Sequence, residues 1–182
     1  MDRLQNVLNV IDAYNKKDPQ GREFPYSEKL TAWVLKLNPK PSEALRIAAR
    51  GQHIGRWTSP RQSYPMDRGG YLRWREDLKR FHAKTVGEIM AKEGYSESKI
   101  DEVRQIILKK YQTCADAQTI EDALCLVFLE SQFEELRQKT PDPKMIEIIR
   151  KTWQKMSEQG KQLALGIEML EGHKQLIQKA LT

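Results

Sequence analysis

Ile120-Glu121-Asp122-Ala123-Leu124-Cys125-Leu126-Val127-Phe128-Leu129 decides the fold class. Laid on a 3.6-residue period, its apolar residues cover nearly the whole circumference, and a helix apolar all round belongs at the centre of a protein. Working outward, apolar residues recur at helical spacing on both sides. Leu4, Val7, Leu8 and Ile11 form one stripe; Leu30, Trp33, Val34 and Leu37 form another, ending at Asn38-Pro39. Ser42 is placed to cap a third helix through Leu45, Ile47 and Ala48 towards His53. A long helix is predicted from about Gly70 to Lys92, one from Ser96 to about Lys110, one over roughly 117–138, one starting at Pro141-Asp142-Pro143, and a last one from Ser157 to the end. No strand alternation and no internal repeat interrupts this series. The expectation is an all-α, single domain over 1–182 of about eight helices, with residues 142–182 as a C-terminal helical pair packing on the core.

The longest apolar stretch, Leu124 to Leu129, is far short of the roughly 20 residues a membrane span needs. The N-terminus has the pattern of an amphipathic helix and lacks that of a signal peptide. Cys114 and Cys125 have no metal-ligand spacing between them and make no disulfide framework. A cytoplasmic location is the expectation.

Charge is concentrated. Residues 50–84 carry nine Lys/Arg and three acids; nine minus three is +6, the net charge of the whole chain. His53, His82, Trp57, Tyr64, Tyr71, Trp74 and Phe81 lie in the same window. Within it, Gly55, Ser59-Pro60, Pro65 and Gly69 predict a long loop, and such loops in compact domains are usually functional. This basic and aromatic segment is the expected functional site. Arg56 and Arg61, on the loop beside His53, are the first choices for clamping an anion, because the guanidinium fork binds phosphate or carboxylate bidentately. Arg73, Arg75, Lys79 and Arg80 surround Tyr71, Trp74, Leu78 and Phe81, whose spacing reads as an ordinary core stripe. The carboxylates Glu121 and Asp122, on a buried helix, need a cation, a histidine or a metal beside them. The bland readings are a helix-dipole role for those acids, a C-terminal cap for His53, a hydrogen-bonded core imidazole for His82 and a surface position for His173.

Leu45-Arg46-Ile47-Ala48-Ala49-Arg50-Gly51-Gln52-His53-Ile54-Gly55-Arg56 resembles the helix of the HD-domain metal-dependent phosphohydrolases that ends in His-Asp and Ile-Gly-Lys. His82, in Phe81-His82-Ala83-Lys84, resembles their later histidine, and Asp122 stands where their last aspartate does. Tyr26 stands at the first histidine, Gln52 at the motif histidine and His53 at the motif aspartate. Lys109 and Lys110 stand where another histidine is common. Over almost the entire chain, QHIGRW, SYPMDRGGYLRWR, LKRFHA and EDALCLVFLE are similar to the uncharacterised domain of unknown function family 4202. Its members are sometimes labelled glutamyl-tRNA synthetase, but this sequence has no HIGH or KMSKS signature.

The resemblance implies an HD-like helical domain. It further implies a hydrolase for a phosphorylated or nucleotide-like small anion. His53, His82, Glu121 and Asp122 would be catalytic. A divalent metal would sit on His53, His82 and Asp122, and Arg56, Arg61, Arg75, Tyr26, Gln52 and Lys109 would hold substrate. The rivals are a degenerate HD fold that binds an anion without chemistry, and an RNA-binding accessory protein using the basic window. Against the last, the window reads as folded inward around its aromatics, whereas phosphate-backbone binding needs an exposed stripe.

Overall fold

The structure, a computed structural model, describes residues 2–110 and 115–182. Cys114 lies outside them. The described residues form ten α-helices and no strand. Helices α1 (Arg3–Asn15), α2 (Glu23–Leu37) and α3 (Glu43–Gly51) follow the first three apolar stripes. Ser42 caps α3 as its sequence position predicts, its hydroxyl accepting from Leu45 N–H at 3.0 Å. Helix α4 (Arg68–Lys92) is the longest and α5 (Glu97–Leu108) packs along it. Helix α6 (Ala115–Val127) is central, touching α2, α3, α5, α8 and α9. Its Ile120, Ala123, Leu126 and Val127 are all but fully buried. Burying a large apolar side chain of this kind contributes roughly 1.5–3 kcal/mol.

The two helices beyond the expected eight come from two interruptions. The segment predicted over 117–138 passes through one wide π turn, Phe128–Gln132, before α7 (Phe133–Gln138). An apolar pattern five residues long does not distinguish that turn from a regular helix. Lys29 Nζ donates to Ser131 Oγ at 2.8 Å and Trp33 Nε1 to Glu130 Oε2 at 3.1 Å, so α2 anchors the wide turn. Past α8 (Asp142–Lys155), the expected last helix divides into α9 (Glu158–Leu165) and α10 (Glu171–Leu181). Gly166 ends α9, and Ile167 and Met169 turn onto the core. Residues 142–182 therefore form three helices, and α8 pairs with α10. No helix among the described residues is long and apolar enough to cross a membrane.

The loop from Gly55 to Asp67 is irregular but tied down. Gly55 takes φ +67, and a Cβ there would come within 2.7 Å of Phe81. At the other end Asp67 caps α4, accepting from Gly70 N–H at 2.6 Å. Gly70 has no room for a side chain, since a Cβ would meet the Pro65 carbonyl at 2.0 Å. Between these points Trp74 Nε1 donates to Ser59 O at 2.8 Å and Tyr64 Oη to Asp77 Oδ2 at 3.0 Å.

Candidate functional site

The site begins with a buried aspartate that the sequence did not single out. Asp18 accepts from the backbone N–H groups of Gln20, Arg22 and Glu23 at 3.0, 2.7 and 3.1 Å. Burial raises its pKa, but these three donors outweigh it and hold the carboxyl below its ordinary range. Asp18 thereby fixes the start of α2 and sets Glu23 in its first turn.

Glu23 faces His53, which follows the C-terminal end of α3. Glu23 Oε2 lies 3.4 Å from His53 Nδ1. The His53 ring stacks on Tyr26, one turn further along α2, at 4.0 Å between centroids and 4° between planes. His82, from the middle of α4, brings its ring centroid to 6.0 Å from that of His53. Its Nδ1 lies 2.7 Å from the Ile54 carbonyl, which only accepts, so Nδ1 carries the proton and Nε2 is the basic nitrogen. His82 is thus the hydrogen-bonded core imidazole of its bland reading and at the same time a neighbour of His53.

Cations surround the pair. Burial is the chief cause of the depressed His53 pKa, and the charges of Arg56, Lys109 and Arg75 push it further down, well below the ordinary histidine value. Burial, then His53, push His82 down to about 3. Glu23 moves the other way: burial, aided by Asp18, raises it to about 7 against the pull of Arg56. Both shifts favour the neutral forms of Glu23 and His53, so their contact has little of the character of an ion pair at neutral pH. Burial likewise raises the Tyr26 phenol.

Of the proposed anion-binding residues, Arg56 stacks its guanidinium over Trp74 at 4.8 Å and makes no close ion pair among the described residues, although its charge acts on Glu23. Lys109 closes α5 in the left-handed conformation at φ 56, the one non-glycine residue with positive φ among those described. Such a backbone costs on the order of 1–3 kcal/mol unless its surroundings require it. Here it brings the ammonium onto Glu121 of α6. Gln52 is 5% exposed and its Oε1 has no hydrogen-bond partner among the described residues. Arg61 is used differently. Its Nη1 and Nη2 donate to the carbonyls of Tyr64 and Asp67, both at 3.1 Å, and hold the loop against the start of α4.

Asp122 is not part of this cluster. It is 2% exposed, and its oxygens accept from Gln118 Nε2, Ser157 N–H and Ser157 Oγ. These contacts lock the start of α9 onto α6, where a Cβ on Gly160 would strike the carboxylate at 2.7 Å. The expected trio of His53, His82 and Asp122 is therefore not brought together. Among the described residues no three His, Cys, Asp or Glu side chains group so as to hold a metal ion. Adjacent residues on a helix point about 100° apart, so Glu121 reaches Lys109 while Asp122 faces α9. The half-buried Glu121 pairs with Lys109 and the buried Asp122 with Gln118 and Ser157, none of which lies in the basic window. His173, expected at the surface, is half-buried on Phe133 at 4.8 Å and bonded to Glu134.

Glu23 and Asp18 are the residues that sequence reading missed. The signal available was an acid in the first turn of α2 three residues before Tyr26, a common N-terminal pattern that says nothing about burial.

The model of the domain of unknown function DUF4202 matches residues 5–177. The chain belongs to the DUF4202 family. No curated protein and no solved structure shows a significant match to it. In this DUF4202 chain the QHIGRW segment supplies His53 and Arg56, LKRFHA supplies His82, and EDALCLVFLE supplies the Glu121 that holds Lys109.

Proposed function

We propose that this DUF4202 protein binds a small phosphorylated or nucleotide-like anion at the Glu23–Tyr26–His53–His82 cluster, with Arg56 and Lys109 supplying the positive charge. The observation that carries this reading is electrostatic. Two histidines with depressed pKa values and a carboxyl with a raised one lie within the field of Arg56, Arg75 and Lys109, and of these three cations only Lys109 makes an ion pair among the described residues. A bound anion would complete that charge balance, and the arginine fork suits phosphate.

A hydrolytic role is the second reading, favoured by Glu23. A carboxyl near 7 touching an imidazole is matched to proton transfer at neutral pH. Kinship to the HD phosphohydrolases is proposed on the same footing: two histidines from the helices that resemblance would name do meet, while Asp122 departs from it. A divalent metal does not fit the expected ligands, so no step is routed through one.

The test is thermal denaturation with phosphate, pyrophosphate and nucleoside monophosphates, alongside release of inorganic phosphate from phosphomonoesters. An anion that binds the folded state stabilises it by about 2.7 kcal/mol at a hundred times its dissociation constant, and so raises the melting temperature with its concentration. Arg56→Ala should abolish that rise. Phosphate release that disappears in Glu23→Gln would promote the hydrolytic reading. A melting temperature indifferent to all these anions, in wild type and variant alike, would remove the proposal. The same titration with added Mn2+ tests whether a divalent ion contributes.

A further inference from the structure

The first half of α4 and the loop beside it carry a second feature, of which the Glu23–His53 cluster uses only Arg56 and Arg75. Between residues 56 and 75 every basic residue is an arginine: Arg56, Arg61, Arg68, Arg73 and Arg75. None of the five forms an ion pair with a carboxylate of the described residues. The next turns of the same helix behave differently, with Lys79 and Arg80 both on Glu76 and Lys84 on Glu88. Nearby acids are occupied: Asp67 caps α4 and Asp77 accepts from Tyr64. The unpaired charge therefore ends abruptly within one helix.

Apolar surface is interleaved with that charge. Arg68, Tyr71, Leu72 and Arg75 share a face by their three- and four-residue spacing. Tyr71 is 42% exposed and Leu72 54%, and Met66, just before the helix, is 76% exposed. Tyr71 was expected in a core stripe with Trp74, Leu78 and Phe81, but of the four only Trp74 and Leu78 are buried, Phe81 being half-buried. The guanidinium carbons of Arg61 and Arg75 stand 5.9 and 5.7 Å from the Tyr71 ring centre. Arg68, Arg73 and Arg75 are exposed, so the basic window is not folded inward.

We propose that this arginine stripe with Tyr71 at its centre is a binding surface for single-stranded nucleic acid. The occupant follows from the two kinds of group presented together. The exposed Arg68, Arg73 and Arg75, without ion pairs, take phosphates, Arg61 being held by the Tyr64 and Asp67 carbonyls, and an exposed ring flanked by guanidiniums offers the stacking platform that an unpaired base requires. A duplex has no free base face for Tyr71, and an acidic peptide would answer the charge but leave the exposed ring and its apolar neighbours unused. The stripe shares Arg56 and Arg75 with the Glu23–His53 cluster, on whose His53 both charges act, so the variants below avoid both.

Fluorescence polarisation with a labelled single-stranded RNA of mixed sequence tests the proposal. Binding should weaken as salt rises, with a log–log slope magnitude of about 2 for three phosphates neutralised. The double variant Arg68→Glu, Arg73→Glu should weaken binding at least about tenfold at low salt. Tyr71→Ala should weaken it about tenfold, and Tyr71→Phe, which keeps the ring, should restore it. Should Tyr71→Ala disturb folding, judged by circular dichroism, the Tyr71→Phe and double-arginine variants still decide the matter. Three results would overturn it: no binding at low salt; binding unchanged by the arginine reversal; or equal affinity for polyglutamate or anionic vesicles without dependence on the Tyr71 ring.

Discussion

Two polar sites packed against this helical core, one buried and one half-buried, behave in opposite ways. Asp122 has three protein donors on its carboxylate and fastens α9 to α6. The Glu23–His53 cluster is half-buried, its groups are held away from their ordinary protonation states, and the buried side-chain oxygen of neighbouring Gln52 has no partner among the described residues. Burial alone does not mark a functional site. What separates the two is whether the protein itself satisfies what it has buried: a saturated group is a joint, and an under-partnered group among uncompensated cations is poised for something else.

The largest effect should come from the saturated site. Asp122→Ala leaves the Ser157 N–H, the Ser157 hydroxyl and the Gln118 amide without their acceptor, and charged hydrogen bonds of this kind are each worth about 1.5–3 kcal/mol. Chemical denaturation should show a loss of about 3 kcal/mol or more, while anion binding by the folded fraction stays intact. If Asp122→Ala removed anion binding at unchanged stability, the contrast between the two sites would collapse.

Acid should discriminate them next. His82 titrates near 3 in the fold against 6.5 unfolded, and His53 is depressed too, so the unfolded chain takes up the extra protons first. Their contribution is complete above about 6.5 and drains away as pH falls below it. Glu23 runs oppositely: raised from 4.5 to about 7, it contributes below 4.5 and loses that contribution as pH climbs through 7. Between 4.5 and 6.5 two histidines oppose one carboxyl, for a net fall on acidification of about 1.4 kcal/mol per pH unit. Glu23→Gln should steepen this slope and His82→Asn should flatten it, both read from denaturation midpoints at stepped pH. Identical slopes in wild type and both variants would mean that the cluster is not strained in the way described.

Smaller changes sharpen the division of labour between the two loop arginines. Arg61→Lys breaks the two-armed grip on the Tyr64 and Asp67 carbonyls, and should lower stability by about 1 kcal/mol without altering anion-induced stabilisation. Arg56→Ala should do the reverse, changing stability by no more than about 1 kcal/mol while abolishing the response to phosphate. The sequence placed both arginines in one role because both flank His53 on the same loop. Only the folded arrangement shows that one guanidinium is spent on backbone carbonyls.

That distinction indicates what was legible in the chain. The fold class was open to reading because the periods of Leu30–Leu37 and Ile120–Leu129 are set by local chemistry. The start of α4 and the Ser42 cap were legible for the same reason. The convergence of His53 and His82 depends on how α3 meets α4, and it entered the sequence reading only through resemblance. Glu23 was hidden because its significance is depth, which Asp18 creates by capping α2. Asp122 was misplaced because a spacing along one helix does not say which neighbour lies opposite each residue. Tyr71 was misplaced because a helical stripe does not reveal where the covering layer stops.

Lys109 carries a consequence of its own. A left-handed position after a helix is where glycine folds most comfortably, and the chain keeps a lysine there instead. The residue is therefore not explained by what makes the helix end well. Exchange for glycine would relax the backbone while discarding the ammonium that meets Glu121 and acts on His53, so an engineer seeking a sturdier protein at this position would be trading away the electrostatic setting of the histidine cluster.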